Sequence, residues 1–442
     1  MPLPSLDCVQ KVTEINQMSK YFAGACLLTL SCSLFWAQDQ PRKVETEAQN
    51  RGAQLRMVVV VMRHGVRSPT GKTAQYNVYA SAPWPAWDVA PGFLTPHGFE
   101  VIRLLGAWDK EHFAGEGLFP GAGCVGASTM TLYADSDERT RETAKALAQG
   151  IFPGCDLPVQ GLSEGTNDPL FHPEAPSSAT EALAVAAISG RIGGDANNVT
   201  AAYRAPLAEL DDILSRCPKA AGVPSKRTSL FEVPTTLSAG NGDHLADLKG
   251  PLATASTLSE NLLLEYTEGM EPANVGWGCV DGQRLRQLIG LHTAATDFTQ
   301  RTFAVASVQA APLLRQVQSA FRQAISGAAV AGALGKPKDR ALFLIGHDTN
   351  LENIAGALHL TWIADGRRDD TPPGSALIFE LWKRTSGDYV VRAHFATQTL
   401  EQSRFALPLT QDEGPSVVPV FIPACSGADE ACPLQDFLAA IP

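Results

Sequence analysis

Residues Met57–Met62, MVVVVM, followed by Arg63–Thr70, RHGVRSPT, form the most informative stretch of the 442-residue chain. The apolar run is unbroken and rich in β-branched valine, which reads as a buried central strand. Gly65 and Pro69 then turn the chain. A second run of this kind, Ala341–Ile345 (ALFLI), ends at Gly346 and leads into His347, Asp348, Thr349 and Asn350. Both chemically rich segments therefore follow strand C-termini, the place where open α/β sheets bind ligands.

Around these runs, helical spacing is read over about Thr95–Lys110, Glu138–Gln149 and Gly282–Phe298, the last with Leu285, Leu288, Ile289 and His292 on one face. Ser375–Trp382 and Tyr389–Ala396, separated by KRTSGD, carry a hairpin signal. The expected architecture is α/β: a central mixed sheet flanked by helices, over residues 50–158 and 301–442, with a mainly helical domain inserted over residues 159–300. The middle segment has few strand-like runs and much Ala, Leu, Ser and Gly. No repeat or heptad pattern is visible.

With 45% hydrophobic and 18% charged residues, the composition is that of an ordinary globular protein. The net charge of −11 and the lack of a basic stripe exclude a nucleic-acid surface, so an anionic ligand needs a local cationic pocket. Residues 1–40 read as a signal segment. From Met18 a single lysine precedes an apolar run over Tyr21–Trp36, too short for a typical membrane span. Met18 is the expected start and cleavage is expected near Ala37, although Phe35 is a poor neighbour for it; an uncleaved anchor and a lipid site at Cys32 are the weaker readings. Export to the periplasm or medium, without stable membrane insertion once the signal is removed, follows. Of nine cysteines, six lie beyond this segment, and an even number in an exported chain points to disulfides, with 15 pairings open.

Arg63-His64-Gly65-Val66-Arg67 places an imidazole between two guanidiniums, whose planar donor forks match phosphate oxygens. A histidine beside such a clamp can attack phosphorus through a ring nitrogen; in isolation the same tripeptide can be a plain surface turn. In Gly346–Asn350, Asp348 is a candidate general acid for a leaving alkoxide, while Asp348 and Asn350 are also suited to N-capping the helix that begins there. A third segment, Asp135–Arg141 (DSDERTR), opens a helix whose N-terminus favours anions, with Arg139 as a third guanidinium; surface charges on a first helical turn are the plainer reading. The other seven histidines, His97 and His172 among them, have no ligand-like spacing, and neither H-E-x-x-H nor a P-loop occurs. No metal and no cofactor are therefore expected.

RHGVRSPT, SDERTR from Ser136 and GHDTN from Gly346 together resemble the histidine acid phosphatases, in the branch of bacterial phytases and glucose-1-phosphatases. WPAWDVAPGFLTPHG from Trp84, EPANVGWG from Glu271, QRTFAVASVQAAPLL from Gln300 and PPGSALIFELW from Pro372 are similar to that branch as well. The likeness runs from about Leu55 to Cys432 and is weakest between His172 and Thr257. It implies His64 as the phosphorylated nucleophile and Asp348 as the proton donor. Arg63, Arg67, Arg139 and His347 would bind the phosphate, and Thr70 would touch the substrate. It also implies Cys124–Cys155 and Cys425–Cys432 bridges, leaving Cys217 and Cys279, whose bridge would depart from the enterobacterial phytase pattern. The partner is then a small phosphate monoester. A phosphomutase of the phosphoglycerate mutase type and an inactive phosphate-ester binder are the alternatives; the export signal and the H-D pair speak against the first, and the filled catalytic positions against the second.

Overall fold

The computed structural model describes residues 52–119, 123–217, 227–242 and 244–442; the signal segment expected over residues 1–40 lies outside them. The valine run forms β1 (Gln54–Arg63). It is followed by β2 (Met130–Ala134), β3 (Val159–Gln160), β4 (Thr236–Ala239), β5 (Ala246–Lys249), β6 (Ala341–Gly346), β7 (Ile363–Ala364), β8 (Arg367–Arg368), β9 (Ala376–Lys383), β10 (Tyr389–Thr397), β11 (Ser416–Val420) and β12 (Cys432–Pro433). The main sheet has the order β11-β10-β9-β1-β6-β2-β3, with β12 on β10. It is mixed: β1, β6, β2 and β3 run parallel, whereas β9, β10 and β11 add antiparallel from the β1 side.

Alternation along the central strands divides the core into two layers. Val59, Val61, Leu342 and Leu344 pack with Leu313, Val317 and Phe321 of the helix Ala311–Ser326 and with Ile354 of the helix Asp348–Leu358. On the opposite face, Val58, Val60, Met62 and Phe343 pack with Ile102 and Leu105 of the helix Pro96–Gly115 and with Leu147 and Ile151 of the helix Glu138–Ile151. Both faces of β1 and β6 are covered, which is why their sequences carry no polar alternation; each fully buried valine contributes about 1.5–3 kcal/mol.

Between β3 and the helix Ala311–Ser326 the described chain is mostly helical, apart from the β4–β5 hairpin. The helices Ser178–Arg191, Arg204–Arg216 and Pro251–Thr267 close around their own apolar core, joined by Trp84 and Leu400. The helix expected over Gly282–Phe298 is two, Gly282–Leu288 and Gly290–Thr299. At Ile289 the turn tightens, His292 N–H donating to the Ile289 carbonyl three residues back. Three disulfides form: Cys124–Cys155, Cys217–Cys279 and Cys425–Cys432. Among the described residues no helix is long and apolar enough to cross a membrane.

Candidate active site

The strand order brings the C-termini of β1, β6 and β2 side by side, so Arg63, Gly346 and the Asp135 segment share one sheet edge. Leaving β1, His64 N–H still donates to the Gly346 carbonyl, at 2.9 Å. The loop beyond it is held by the start of the helix Pro96–Gly115: Thr95 caps that helix and donates its own N–H to the Val66 carbonyl. A Cβ on Gly98 would lie 2.2 Å from that carbonyl oxygen, so only glycine lets helix and loop close together.

His64 is buried, and its Nδ1 lies 2.8 Å from the Gly65 carbonyl. A carbonyl only accepts, so Nδ1 carries the proton and Nε2 keeps its lone pair. Burial, and after it Arg139, Arg67 and Arg63, hold the imidazole well below its usual pKa. An unprotonated Nε2 surrounded by guanidiniums is a nucleophile that survives in acid.

Arg63 donates from Nη1 to the Thr371 carbonyl at 2.6 Å and from Nη2 to Glu260, and its Nη2 also lies 3.2 Å from Asp348 Oδ2. Arg67 donates to the same Glu260 oxygen at 3.1 Å. Arg139 pairs with Asp137 at 2.5 Å and lies 3.4 Å from His347 Nδ1. The Nε–H groups of all three arginines are buried without an acceptor, donors suited to an anion. Thr70 is exposed at the rim: a Cβ built on Gly92 would lie 3.6 Å both from its methyl group and from Arg139 Nη1.

Asp348 starts its helix. Burial pushes its carboxyl up, but Arg63 and then His292 outweigh this and hold it well below the usual carboxylate range. The residue placed as N-cap is His347, with Asn350 at the third helical position accepting the His347 N–H through Oδ1 at 2.9 Å. The capping expected of Asp348 and Asn350 thus shifts by register, and Asp348 keeps one carboxylate oxygen toward Arg63.

Four residues were not assigned to the site from the sequence. Glu260, on the helix Pro251–Thr267, bridges Arg63 and Arg67. His292, read as part of a helical apolar face, lies with Nε2 3.9 Å from Asp348 Oδ2. Asp135 Oδ2 accepts from His347 Nε2 at 2.6 Å and from His172 Nε2 at 2.9 Å. No ligand-like spacing along the chain marks His172, yet one atom each of Asp135, His172 and His347 lies within 4.8 Å of the other two. Spacing of 37 and 212 residues hides such a group. The one available signal was Asp135 itself, at the C-terminus of a buried strand.

Residues 54–396 match the profile of the histidine phosphatase superfamily (branch 2). The chain is 34% identical over 397 residues to the phytase AppA of Escherichia coli K12, covering 87% of this chain and 90% of that protein. It is 28% identical to a glucose-1-phosphatase of Salmonella typhimurium LT2, covering 89% and 93%. Among solved structures, Hafnia alvei phytase in complex with tartrate superposes with a TM-score of 0.80 at 33% identity, covering 88% of this chain and 96% of that one. Citrobacter braakii phytase gives 0.79 at 34%, covering 88% and 97%.

Proposed function

Because the chain belongs to branch 2 of the histidine phosphatase superfamily and is a histidine acid phosphatase of the phytase and glucose-1-phosphatase kind, we propose that it hydrolyses phosphate monoesters through a phosphohistidine on Nε2 of His64. The observation that carries this reading is the Gly65 carbonyl on His64 Nδ1, which fixes the tautomer and leaves Nε2 with its lone pair. Arg63, Arg67, Arg139 and His347 take the phosphoryl oxygens, and Thr70 meets the rest of the ester at the rim. Nε2 bonds to phosphorus as the P–O bond to the alcohol breaks, and the departing alkoxide takes a proton from Asp348. Water then attacks the phosphohistidine, gives its proton to Asp348, and inorganic phosphate leaves.

The ester class is a phytate or a sugar phosphate, as the relatives' names suggest. Phosphate release measured side by side from phytate, glucose 1-phosphate and p-nitrophenyl phosphate decides between them. Three disulfides and the apolar run after Met18 support action in the periplasm or outside the cell.

Rapid quenching with labelled substrate tests the mechanism: acid-labile phosphate is expected on His64 and absent from His64→Ala. Label on a serine or an aspartate overturns it.

A further inference from the structure

The geometry points to a binding site for a borderline divalent transition ion, Zn²⁺ or Co²⁺, made by His172 Nε2, Asp135 Oδ2 and His347 Nε2. Such a site goes beyond phosphoryl transfer, which uses none of these atoms as metal ligands. The three ligand atoms all lie within 4.8 Å of one another. The imidazole nitrogens stand 2.9 and 2.6 Å from the carboxylate oxygen. Tetrahedral zinc, with bonds of about 2.0–2.2 Å, asks for neighbouring ligand atoms roughly 3.3 Å apart. An opening of about half an ångström brings both nitrogen–oxygen separations to that value.

The frame around the site is built in advance, as a metal site requires. Asp135 is fixed by its N–H to the Ile345 carbonyl, across from β6. The His172 loop is tied in three ways: His172 N–H donates to the Asp168 carbonyl, Tyr133 donates to the Asp168 carboxylate at 3.0 Å, and Asn350 Nδ2 donates to the Phe171 carbonyl at 2.8 Å. Asn350 also receives the His347 N–H, so one amide holds two ligand-bearing segments in register. A Cβ on Gly346 would lie 2.4 Å from that amide and 2.6 Å from the Phe171 ring, which explains glycine as the last residue of β6, before His347.

The second carboxylate oxygen, Asp135 Oδ1, is buried with no hydrogen-bond partner. A neutral site gives no reason for that orphan acceptor; a cation on the carboxylate offsets its cost. Beside His172 and Asp135 a cleft of about 420 Å³ carries Ser136, Asp137, Thr166 and Glu174, two of them acidic, and leaves room for water as the fourth ligand. Arg139, near His347 Nδ1, repels a cation, but Asp137 pairs with it. Two imidazoles and one carboxylate favour a zinc-like ion over Mg²⁺ or Ca²⁺, which take oxygen ligands. Binding shifts the proton of each ring from Nε2, which now faces Asp135, to Nδ1 of the same ring, and for His347 this gives up the 3.4 Å contact with Arg139.

The test is Co²⁺ titration of the metal-free full chain at neutral pH, read by visible d–d absorption, with Zn²⁺ as competitor. Wild type is expected to bind one ion per chain with a tetrahedral-type band that Zn²⁺ removes. His172→Asn should weaken binding by more than the roughly 10–100-fold that loss of an outer-shell partner costs. His172→Cys should bind again and add a thiolate-to-cobalt charge-transfer band, which arises only when residue 172 touches the ion. Either no stoichiometric binding by wild type, an undiminished band in His172→Asn, or a His172→Cys protein without the thiolate band overturns the assignment.

Discussion

Asp348→Asn is expected to slow the reaction selectively by leaving group. In the free enzyme Asp348 Oδ2 sits 3.2 Å from Arg63 Nη2 and 3.9 Å from His292 Nε2, so the residue is a carboxylate and holds no proton to give. Unit charges as close as Asp348 and Arg63, at an effective dielectric of about 20, attract by roughly 5 kcal/mol. That attraction outweighs burial and keeps the carboxyl well below the usual carboxylate range. A phosphoryl group that takes over Arg63 and brings its own negative charge removes this attraction. The carboxyl of Asp348 is therefore restored to its ordinary range or above only when the ester is bound, and the proton is taken up together with the substrate. Asparagine cannot do this. General acid catalysis is typically worth about 10²- to 10⁴-fold, and the variant should lose about that much in phosphorylation by phytate or glucose 1-phosphate. Nitrophenolate leaves without a proton, so on p-nitrophenyl phosphate the loss should stay below about tenfold by the same accounting. Formation of the phospho-enzyme, followed by stopped flow or rapid quench, is the quantity to compare, because slow dephosphorylation would level all substrates. Equal slowing with both kinds of leaving group would falsify the acid role and leave Asp348 as a support for Arg63.

Glu260→Gln should tighten inhibition by inorganic phosphate: a unit charge about 5 Å from the anion at a dielectric of about 20 repels it by about 3 kcal/mol. Allowing for screening, Ki is expected to fall at least about tenfold, and an unchanged Ki would show that Glu260 does not compete for Arg63 and Arg67. Asp109, buried with no partner charge, has its carboxyl pushed up to about 8 by burial alone. Its proton is kept on folding and lost on unfolding between about pH 4 and pH 8, so its contribution to stability is full below about pH 4 and is lost as pH rises through that window. Asp109→Asn should therefore stabilise the protein more at pH 8 than at pH 5 in paired thermal melts, by roughly a few kcal/mol; an equal effect at both pH values contradicts the buried neutral acid. Removing the Cys217–Cys279 bridge, which spans 62 residues, should cost about 4 kcal/mol, and removing Cys425–Cys432, which spans 7, about 2. Denaturant midpoints of the two double serine variants give the comparison, and equal losses argue against loop entropy as the source.

What the residues alone determined was local. A short, β-branched apolar run ended by a polar turn reads as a buried central strand, so Met57–Met62 and Ala341–Ile345 marked two central strands; that they run parallel came from the structure. A turn directly after such a strand puts its side chains at the ligand-binding edge, so Arg63, His64, Arg67, His347 and Asp348 were legible, as was Arg139 on the helix after β2. Tertiary structure decided which of these edges meet. The order β1-β6-β2 sets three C-termini about one strand spacing apart, and it was not written in any single segment. It also decided what completes the site: Glu260 comes from a helix inside the segment read only as mainly helical, His292 from a helical face read as apolar, and His172 from a loop 37 residues beyond Asp135. Charge and hydrogen-bonding partners so distant along the chain leave no periodic trace, because helix and strand patterns report only which face is buried and not what the burial brings into contact.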